Sequence, residues 1–111
     1  VGVCVEVAPC GGLARIAFDD AGVTPSIDSA EPNVRAVLAK VAAGEFDAGI
    51  VYATDIGAGV DGVPIVGGPV AEYPIAVVAD GPNPAGGASF VAFVLSGEGR
   101  SILAEYGFGS P

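Results

Sequence analysis

The sequence contains no histidine, methionine or tryptophan, and it has only four lysines and arginines against 13 aspartates and glutamates. Without histidine, the usual Ser–His and Cys–His catalytic pairs cannot form within this chain. The net charge of −9 argues against nucleic-acid binding, which requires a basic surface. It does not argue against binding a small anion, because backbone N–H groups can do so without formal charge. We therefore predict neither an enzyme nor a nucleic-acid-binding protein.

Long apolar runs are also missing, since none approaches the roughly 18 residues that a membrane-spanning helix requires. The composition is nevertheless 51% hydrophobic, which excludes a disordered, solvated segment. The 111 residues suffice for one small domain or for part of a larger one. The chain begins directly with an apparent core strand, with no initiator methionine or signal segment. We therefore expect a piece of a longer protein.

The order of the predicted elements favours an α/β fold with a mostly parallel sheet flanked by helices. A β-branched run at residues 1–7 predicts a buried strand, and Pro9 suits the first turn of the helix that follows. Gly22 is expected to end that helix. A short strand is predicted within residues 23–28. The apolar run 46–54 predicts a further strand that is buried on both faces of the sheet.

A second helix is strongly marked between the last two of these strands. Ser29 is expected to cap it and Pro32 to lie in its first turn, and Gly44 is expected to end it. Farther along the chain, residues 63–66 and 73–79 predict two more strands.

The carboxyl-terminal part predicts two helices that are separated near Ser96 and Gly97. Gly107 followed by Phe108 is typical of a Schellman ending for the second of them.

Three groups are expected at the carboxyl edge of the sheet, where ligands of open α/β sheets bind. They are Cys10 at the first helix start, Val34 at the second helix start and Tyr52 at a strand end. Helix starts carry unsatisfied N–H groups and roughly half a positive charge. With a phenol they make a donor-rich site that suits a dianion able only to accept hydrogen bonds. Gly11 and Asn33 are supporting candidates.

Each of these residues also has an ordinary structural explanation. Tyr52 fits a core ring with a solvated hydroxyl, and Asn33 fits a polar residue of a first turn. Thr54 and Asp55 fit a cap on the following turn. From the residues alone, an anion site is therefore one of two open interpretations.

Cys4 and Cys10 leave several alternatives open. They fit two separate thiols or a disulfide that joins strand to helix, since their short spacing is within reach of such a bond. A lone Cys10 at a helix start would ionise readily and repel a bound oxyanion, whereas a disulfide would indicate an oxidising compartment. Two cysteines cannot build a zinc site by themselves, and we expect no metal held by side chains.

The segment NVRAVLAKVAAGEFDAGIVYATD, residues 33–55, resembles the molybdate-binding proteins that supply ABC importers. The family pattern is a helix opening with N/D-V-R, followed by G-E-x-D-A-G-I-V-Y-x-T/S-D. The stretches YPIAVV and NPAGGASFVAFVLSGEGRSILAEYGF resemble the family's carboxyl-terminal part, and APCGGLAR occupies the place of its P-A-G-x-Y-A helix start. The resemblance covers essentially the whole chain. Its middle motif is quite specific, whereas FVAFVLSGEG is shared with many solute-binding proteins.

The resemblance implies part of a type II periplasmic-binding-protein fold, in which two α/β lobes close over a ligand. It assigns residues 1–72 to the second lobe, and residues 73–111 to the crossing strand and two terminal helices of the first lobe. It also implies ligand roles for the backbone N–H groups of Cys10 and Val34 and for the Tyr52 hydroxyl. Cys10 stands where the family commonly has alanine, a change that leaves the backbone donor in place.

The implied function is extracytoplasmic recognition of molybdate, and of tungstate as well, for ABC-type import. The resemblance implies no enzyme activity and no cofactor besides the oxyanion ligand. Its implied location is the periplasm or, as a lipoprotein, the cell surface. The implied partners are the membrane subunits of the importer.

No segment of the sequence corresponds to the family's amino-terminal lobe, so half a site is expected. The apolar terminal helices are then expected to pack on the missing lobe or on a second copy, as a packed or swapped dimer. One alternative is the effector domain of a transcription regulator with the same fold, for which free thiols are expected. An enzyme using the Cys10 thiol would need a base from another chain.

Overall fold

The computed structural model describes residues 1–57 and 59–110. The chain divides into unit 1, Val1–Ala71, and unit 2, Glu72–Pro111. This boundary lies next to the one expected at residue 72, while the assignment of the two parts to different lobes stays a prediction. The elements in chain order are β1 (Gly2–Cys4), α1 (Pro9–Ala21), β2 (Ser29–Glu31), α2 (Val34–Ala42), a 3-10 helix (Ala53–Asp55), α3 (Pro84–Val94) and α4 (Gly97–Glu105).

Unit 1 is built around a short parallel sheet, which confirms the α/β prediction. β1 and β2 pair in parallel, with Cys4 beside Glu31 at their carboxyl ends. On the other side of β1, Gly49 forms an isolated parallel bridge to Gly2. The Ile50 N–H continues this contact by donating to the Gly2 carbonyl at 3.2 Å. β1 therefore lies between β2 and the segment around Gly49.

The strand predicted within residues 23–28 is wrong by a few residues, because β2 forms at Ser29–Glu31. Pro25 has no N–H to donate to a ladder, and pairing begins only where Ser29 lies opposite Gly2. Ser29 is consequently part of the strand and is not the cap of α2. Pro32 lies before that helix and not in its first turn.

The other strand predictions are only partly confirmed. The run 46–54 contributes a single bridge at Gly49 instead of a complete strand. Residues 63–66 and 73–79 form no strand, although the structure describes all of them. A strand exists only within a ladder of backbone hydrogen bonds, and the ladder formed in the described residues joins β1 and β2.

The helix boundaries follow the sequence more closely. α1 begins at Pro9 and ends before Gly22, whose φ of 63° is the left-handed conformation that favours glycine. α3 and α4 separate at Leu95 and Ser96, as predicted. At the end of α4, the Phe108 N–H donates to the Leu103 carbonyl at 3.1 Å, which confirms the Schellman ending. No helix in the described residues is long and apolar enough to cross a membrane.

Close backbone contacts hold the two helices of unit 1 on the sheet. A Cβ added to Gly11 in α1 would lie 2.1 Å from the Val5 carbonyl oxygen, so only glycine fits there. A Cβ added to Gly49 would lie 2.5 Å from Cγ1 of Val37 in α2. Val37 is completely buried, at 0% exposure, because α2 lies directly against this part of the sheet.

Unit 2 contains α3 and α4, which contact each other, and the extended segment that precedes them. The rings of Tyr73 and Phe108 meet edge to face, with centroids 5.8 Å apart. Asn83 and Ser96 cap the two helices by accepting hydrogen bonds from backbone N–H groups. Every residue of α3, all of which are described, is at least partly exposed.

Candidate functional site

The carboxyl ends of β1 and β2 lead into the starts of α1 and α2. Cys10 is the second residue of α1, and Val34 is the first residue of α2. The last residues of the two strands, Cys4 and Glu31, are partners in the parallel ladder. Both predicted backbone donors therefore follow the same edge of the sheet.

Tyr52 follows the third segment that reaches this edge. It lies two residues after Ile50, whose N–H donates to β1, and it precedes the 3-10 helix Ala53–Asp55. The Tyr52 N–H donates to the Asp55 carboxylate at 3.3 Å, and the Asp55 N–H donates to the Tyr52 carbonyl at 3.0 Å. Asp55 therefore caps this turn, as the structural explanation of Thr54 and Asp55 anticipated, and it holds the Tyr52 backbone as the chain leaves the sheet.

The strand order reverses at this edge. β2 lies on one side of β1 and the segment around Gly49 on the other, so the direction of strand order reverses at β1. In open α/β sheets, ligands bind outside the carboxyl ends of the strands at such a point. Cys10 follows β1, and Tyr52 follows the neighbouring segment around Gly49.

A single buried cluster connects the three predicted ligand residues. Cys4, Cys10 and Val37 form the cluster, and the partly buried Val34 and Tyr52 pack against it. The structure thus brings Cys10, Val34 and Tyr52 together, although they are far apart in sequence. Their roles as ligands stay a prediction.

At the start of α1, the Cys10 N–H comes before the first N–H groups that donate hydrogen bonds within the helix. Pro9 has no N–H, and the first bonds of the helix are donated by Gly11 and Gly12 to the Ala8 carbonyl at 2.9 and 3.1 Å. Gly11, a supporting candidate, therefore uses its N–H within the turn. Its contribution is the close approach to β1 described above.

The start of α2 is organised by Asn33, the other supporting candidate. Its side-chain oxygen accepts from the Ala36 N–H at 3.0 Å, and its carbonyl accepts from the Val37 N–H at 3.3 Å. The Val34 N–H precedes these bonds, in the first turn where helix donors have no intrahelical partner. Asn33 is therefore the cap that orients this donor.

Cys4 and Cys10 form a disulfide, which is one of the alternatives left open by the sequence. Its Cα atoms are 5.8 Å apart, within the usual range for such bonds. The bond joins the last residue of β1 to the first turn of α1. In this state Cys10 has no thiolate charge and no free thiol that could act as a nucleophile.

Sequence reasoning did not identify the ion pair between Glu31 and Lys40. The buried Glu31 Oε1 accepts from Lys40 Nζ and from Ser29 Oγ, both at 2.7 Å. The Lys40 bond, and then the Ser29 bond, lower the pKa of Glu31 from its ordinary value. The same bond to Glu31 raises the pKa of Lys40. The only sequence signal for this pair is a lysine on the helix that follows the strand-end glutamate. The ion pair neutralises the Glu31 carboxylate, which lies at the carboxyl edge of the sheet near the predicted site.

A cleft of about 370 Å³ lies beside α1, between the helix and the connection to β2. Phe18, Val23 and Ile27 are among its apolar lining residues, and Arg15 and Asp19 are among its charged ones. Gly11 lines this cleft, whereas the three predicted ligand residues, Cys10, Val34 and Tyr52, do not.

Comparison with known proteins now gives the family. The family model described as bacterial extracellular solute-binding protein matches residues 2–109. The chain belongs to this family. It is 39% identical, over 114 residues, to the molybdate-binding protein ModA of Mycobacterium bovis and to that of Mycobacterium tuberculosis. No solved structure matches the chain.

These alignments cover 98% of the chain but 44% of each ModA protein, so the chain spans less than half the length of these relatives. The resemblance seen in residues 33–55 is thereby confirmed, and the small α/β structure agrees with part of a periplasmic-binding-protein fold. Membership of a solute-binding family, rather than an enzyme family, supports the prediction that the chain is not an enzyme.

Proposed function

We propose that the chain carries half of a molybdate or tungstate site in an extracytoplasmic binding protein that serves an ABC importer. One observation carries this proposal. Cys10, Val34 and Tyr52 meet around one buried cluster at the carboxyl edge of the sheet, in a chain that is 39% identical to molybdate-binding proteins.

The chemistry of these groups suits a tetrahedral dianion. The N–H groups of Cys10 and Val34 each donate to one oxyanion oxygen, and the Tyr52 hydroxyl donates to another. The positive ends of α1 and α2 add attraction without a formal charge. Since sulfate presents the same acceptors, selectivity for the larger oxyanions depends on the size of the complete cavity.

Unit 2 supports the proposal that further protein completes the site. α3 contains no charged residue, yet its side chains include the exposed Phe90 and Phe93. A helix that is apolar on all sides is normally buried against other protein. We infer that the amino-terminal lobe covers this surface, since the relatives are more than twice as long as the chain. A second copy of the chain is the alternative occupant.

The disulfide supports an extracytoplasmic location, because such bonds persist in oxidising compartments. The same observation disfavours the effector domain of a transcription regulator, for which we expected free thiols. Periplasmic and lipoprotein forms both agree with an oxidising location.

Calorimetric titration of the natural protein with molybdate, tungstate and sulfate tests the proposed function. We expect saturable binding of the first two and much weaker binding of sulfate. Tyr52→Phe should weaken molybdate binding about 10- to 100-fold, since it removes one hydrogen bond to a charged group. Tyr106→Phe, an exposed tyrosine of unit 2, is the matched control and should leave the affinity unchanged.

Two results would contradict the proposal. The first is the absence of binding by the natural protein to either molybdate or tungstate. The second is equal affinity of the Tyr52→Phe variant and the unmodified protein, which would remove Tyr52 from the site.

Sedimentation of the isolated 111-residue chain tests whether the apolar surface of unit 2 is covered by other protein. A monodisperse monomer at high concentration would count against such covering.

A further inference from the structure

The Cys4–Cys10 disulfide lies among the donors of the proposed oxyanion site. Cys4 and Cys10 are 3% and 8% exposed, and with Val37 they form the cluster on which Val34 and Tyr52 pack. The bond therefore contacts the region that all three proposed ligand residues share. A change at its sulfur atoms would act on the site directly.

The connection between β1 and α1 places the first turn of the helix against the sheet through backbone contacts and through the disulfide. It runs through residues 5–8, where Val7 is 95% exposed and the Glu6 carboxylate forms an ion pair with the exposed Arg15, at 3.1 Å. The Val5 N–H donates to the Glu31 carbonyl at 2.8 Å. One tight turn closes the connection, with the Ala8 N–H donating to the Val5 carbonyl at 3.0 Å. The disulfide adds a covalent cross-link between the last residue of β1 and the first turn of α1, which carries the Cys10 N–H.

The disulfide also determines the charge at this point. As a bridge it is neutral. A thiol in the first turn of a helix ionises more readily than a free cysteine, because the helix end stabilises the thiolate. A thiolate at Cys10 would stand beside the backbone donor meant for a dianion, and like charges in a poorly solvated site repel strongly.

We propose that the Cys4–Cys10 disulfide is a positioning element of the oxyanion site and that its reduction switches the site off. This inference rests on the proposed function. Reduction by a small dithiol delivers two electrons and two protons to the two sulfur atoms, giving two thiols, while the dithiol becomes a disulfide. The Cys10 thiol then releases a proton to water. Oxyanion capture is thereby confined to an oxidising compartment.

The first experiment titrates the natural protein with sodium molybdate in three states: oxidised, reduced with dithiothreitol, and reoxidised. We expect at least tenfold weaker binding after reduction and full recovery after reoxidation. If the oxidised protein does not bind molybdate, the proposed function fails. If the oxidised and reduced proteins bind equally, only the switch fails. Loss of the far-ultraviolet circular dichroism on reduction would also overturn it, because the bond would then maintain the fold as a whole.

The second experiment separates position from charge. Cys4→Ala leaves a thiol at Cys10, and the double variant Cys4→Ala/Cys10→Ala removes both the bridge and the thiol. The other charged and titratable groups are unchanged in both variants, among them Glu6, Arg15, Glu31, Lys40 and Tyr52. The difference between the two variants therefore reports the thiol.

We expect the affinity of the Cys4→Ala variant for molybdate to fall, relative to that of the double variant, as the pH rises from about 6 to 9, the range in which cysteine thiols ionise. The double variant should bind more weakly than the oxidised protein at every pH. Identical pH profiles for the two variants would overturn the charge effect. A double variant that binds as tightly as the oxidised protein would overturn the positioning role.

Discussion

Units 1 and 2 are both rich in apolar residues, but the buried core lies in unit 1. There, α1 and α2 pack on a parallel sheet and bury residues such as Val3 and Val37. In unit 2, α3 has no charged residue, yet Phe90 remains 61% exposed. The difference shows that apolar composition supplies the capacity for burial, while neighbouring elements decide whether burial occurs.

The comparison also bears on the proposed site. Cys10, Val34 and Tyr52 are held by the core of unit 1 itself, so the proposed donors are organised within this unit. The apolar surface of unit 2 has no comparable support within the residues that the structure describes. Matched substitutions in the two units should therefore differ in their effect on stability.

The largest expected effect belongs to Gly11→Ala. The new Cβ would lie 2.1 Å from the Val5 carbonyl oxygen, so α1 would have to move away from β1. We expect a loss of about 3 kcal/mol in the free energy of unfolding, at the upper end for overpacking. Urea denaturation followed by circular dichroism measures it.

Gly12→Ala is the matched control, because its Cβ would approach nothing closer than the Glu6 carbonyl oxygen at 3.8 Å. This variant should be neutral or more stable, since alanine favours a helix by up to about 1 kcal/mol. Equal destabilisation by both variants would contradict the close contact at Gly11.

A smaller loss is expected from Val37→Ala. Val37 is completely buried between α2 and the sheet, so truncation leaves a cavity that costs about 2 kcal/mol. The same substitution at the exposed Val78 of unit 2 should change the unfolding free energy by less than about 0.5 kcal/mol. Similar losses at both positions would show that unit 2 has a core of its own, which would break the comparison.

Two asparagine caps provide a third test. Asn33 caps α2 in unit 1, and Asn83 caps α3 in unit 2 by accepting from the Gly86 N–H at 2.9 Å. Asn33→Ala should lower the global unfolding free energy by about 1 kcal/mol, and it should also weaken molybdate binding through the Val34 donor.

Asn83→Ala should loosen α3 without changing molybdate affinity. Hydrogen exchange measures the stability of the two helices, and calorimetry measures the affinity for molybdate. Together they distinguish the two variants. A binding defect from Asn83→Ala as large as that from Asn33→Ala would mean that unit 2 contributes to the site.

The smallest effect is expected at the Glu31–Lys40 pair, and it depends on pH. The folded protein lowers the pKa of Glu31 below its ordinary 4.5, so the stabilisation is present above that pH and is lost as the pH falls through the folded value. Folding also raises the pKa of Lys40 above 10.5. The stabilisation from Lys40 is therefore lost only as the pH rises through this raised value.

Glu31→Gln should therefore lower the denaturation midpoint near neutral pH, and its difference from the unmodified protein should shrink in acid. Glu72→Gln, an exposed carboxylate of unit 2, serves as the control and should show no such trend. A constant difference at all pH values would exclude the charged pair as its cause.

Local sequence chemistry accounts for the helices. α1 begins at Pro9 and ends before Gly22, and Ser96 caps the start of α4, because caps and φ preferences act within a few residues. The α2 cap was nevertheless predicted at Ser29, whereas Asn33 performs that role. The error arose because β2 extends to Glu31, and strand pairing takes precedence over a local capping preference.

The sequence by itself determined the family, the α/β class, the helix ends and the acidic charge, because these depend on composition, motifs and short-range geometry. Tertiary structure alone decided which runs became strands, which residues surround Val37 and which carboxylate pairs with Lys40. A strand requires a backbone partner, and a core requires opposing surfaces. Both depend on residues far away in the chain, and a pattern read along a single segment does not contain that information.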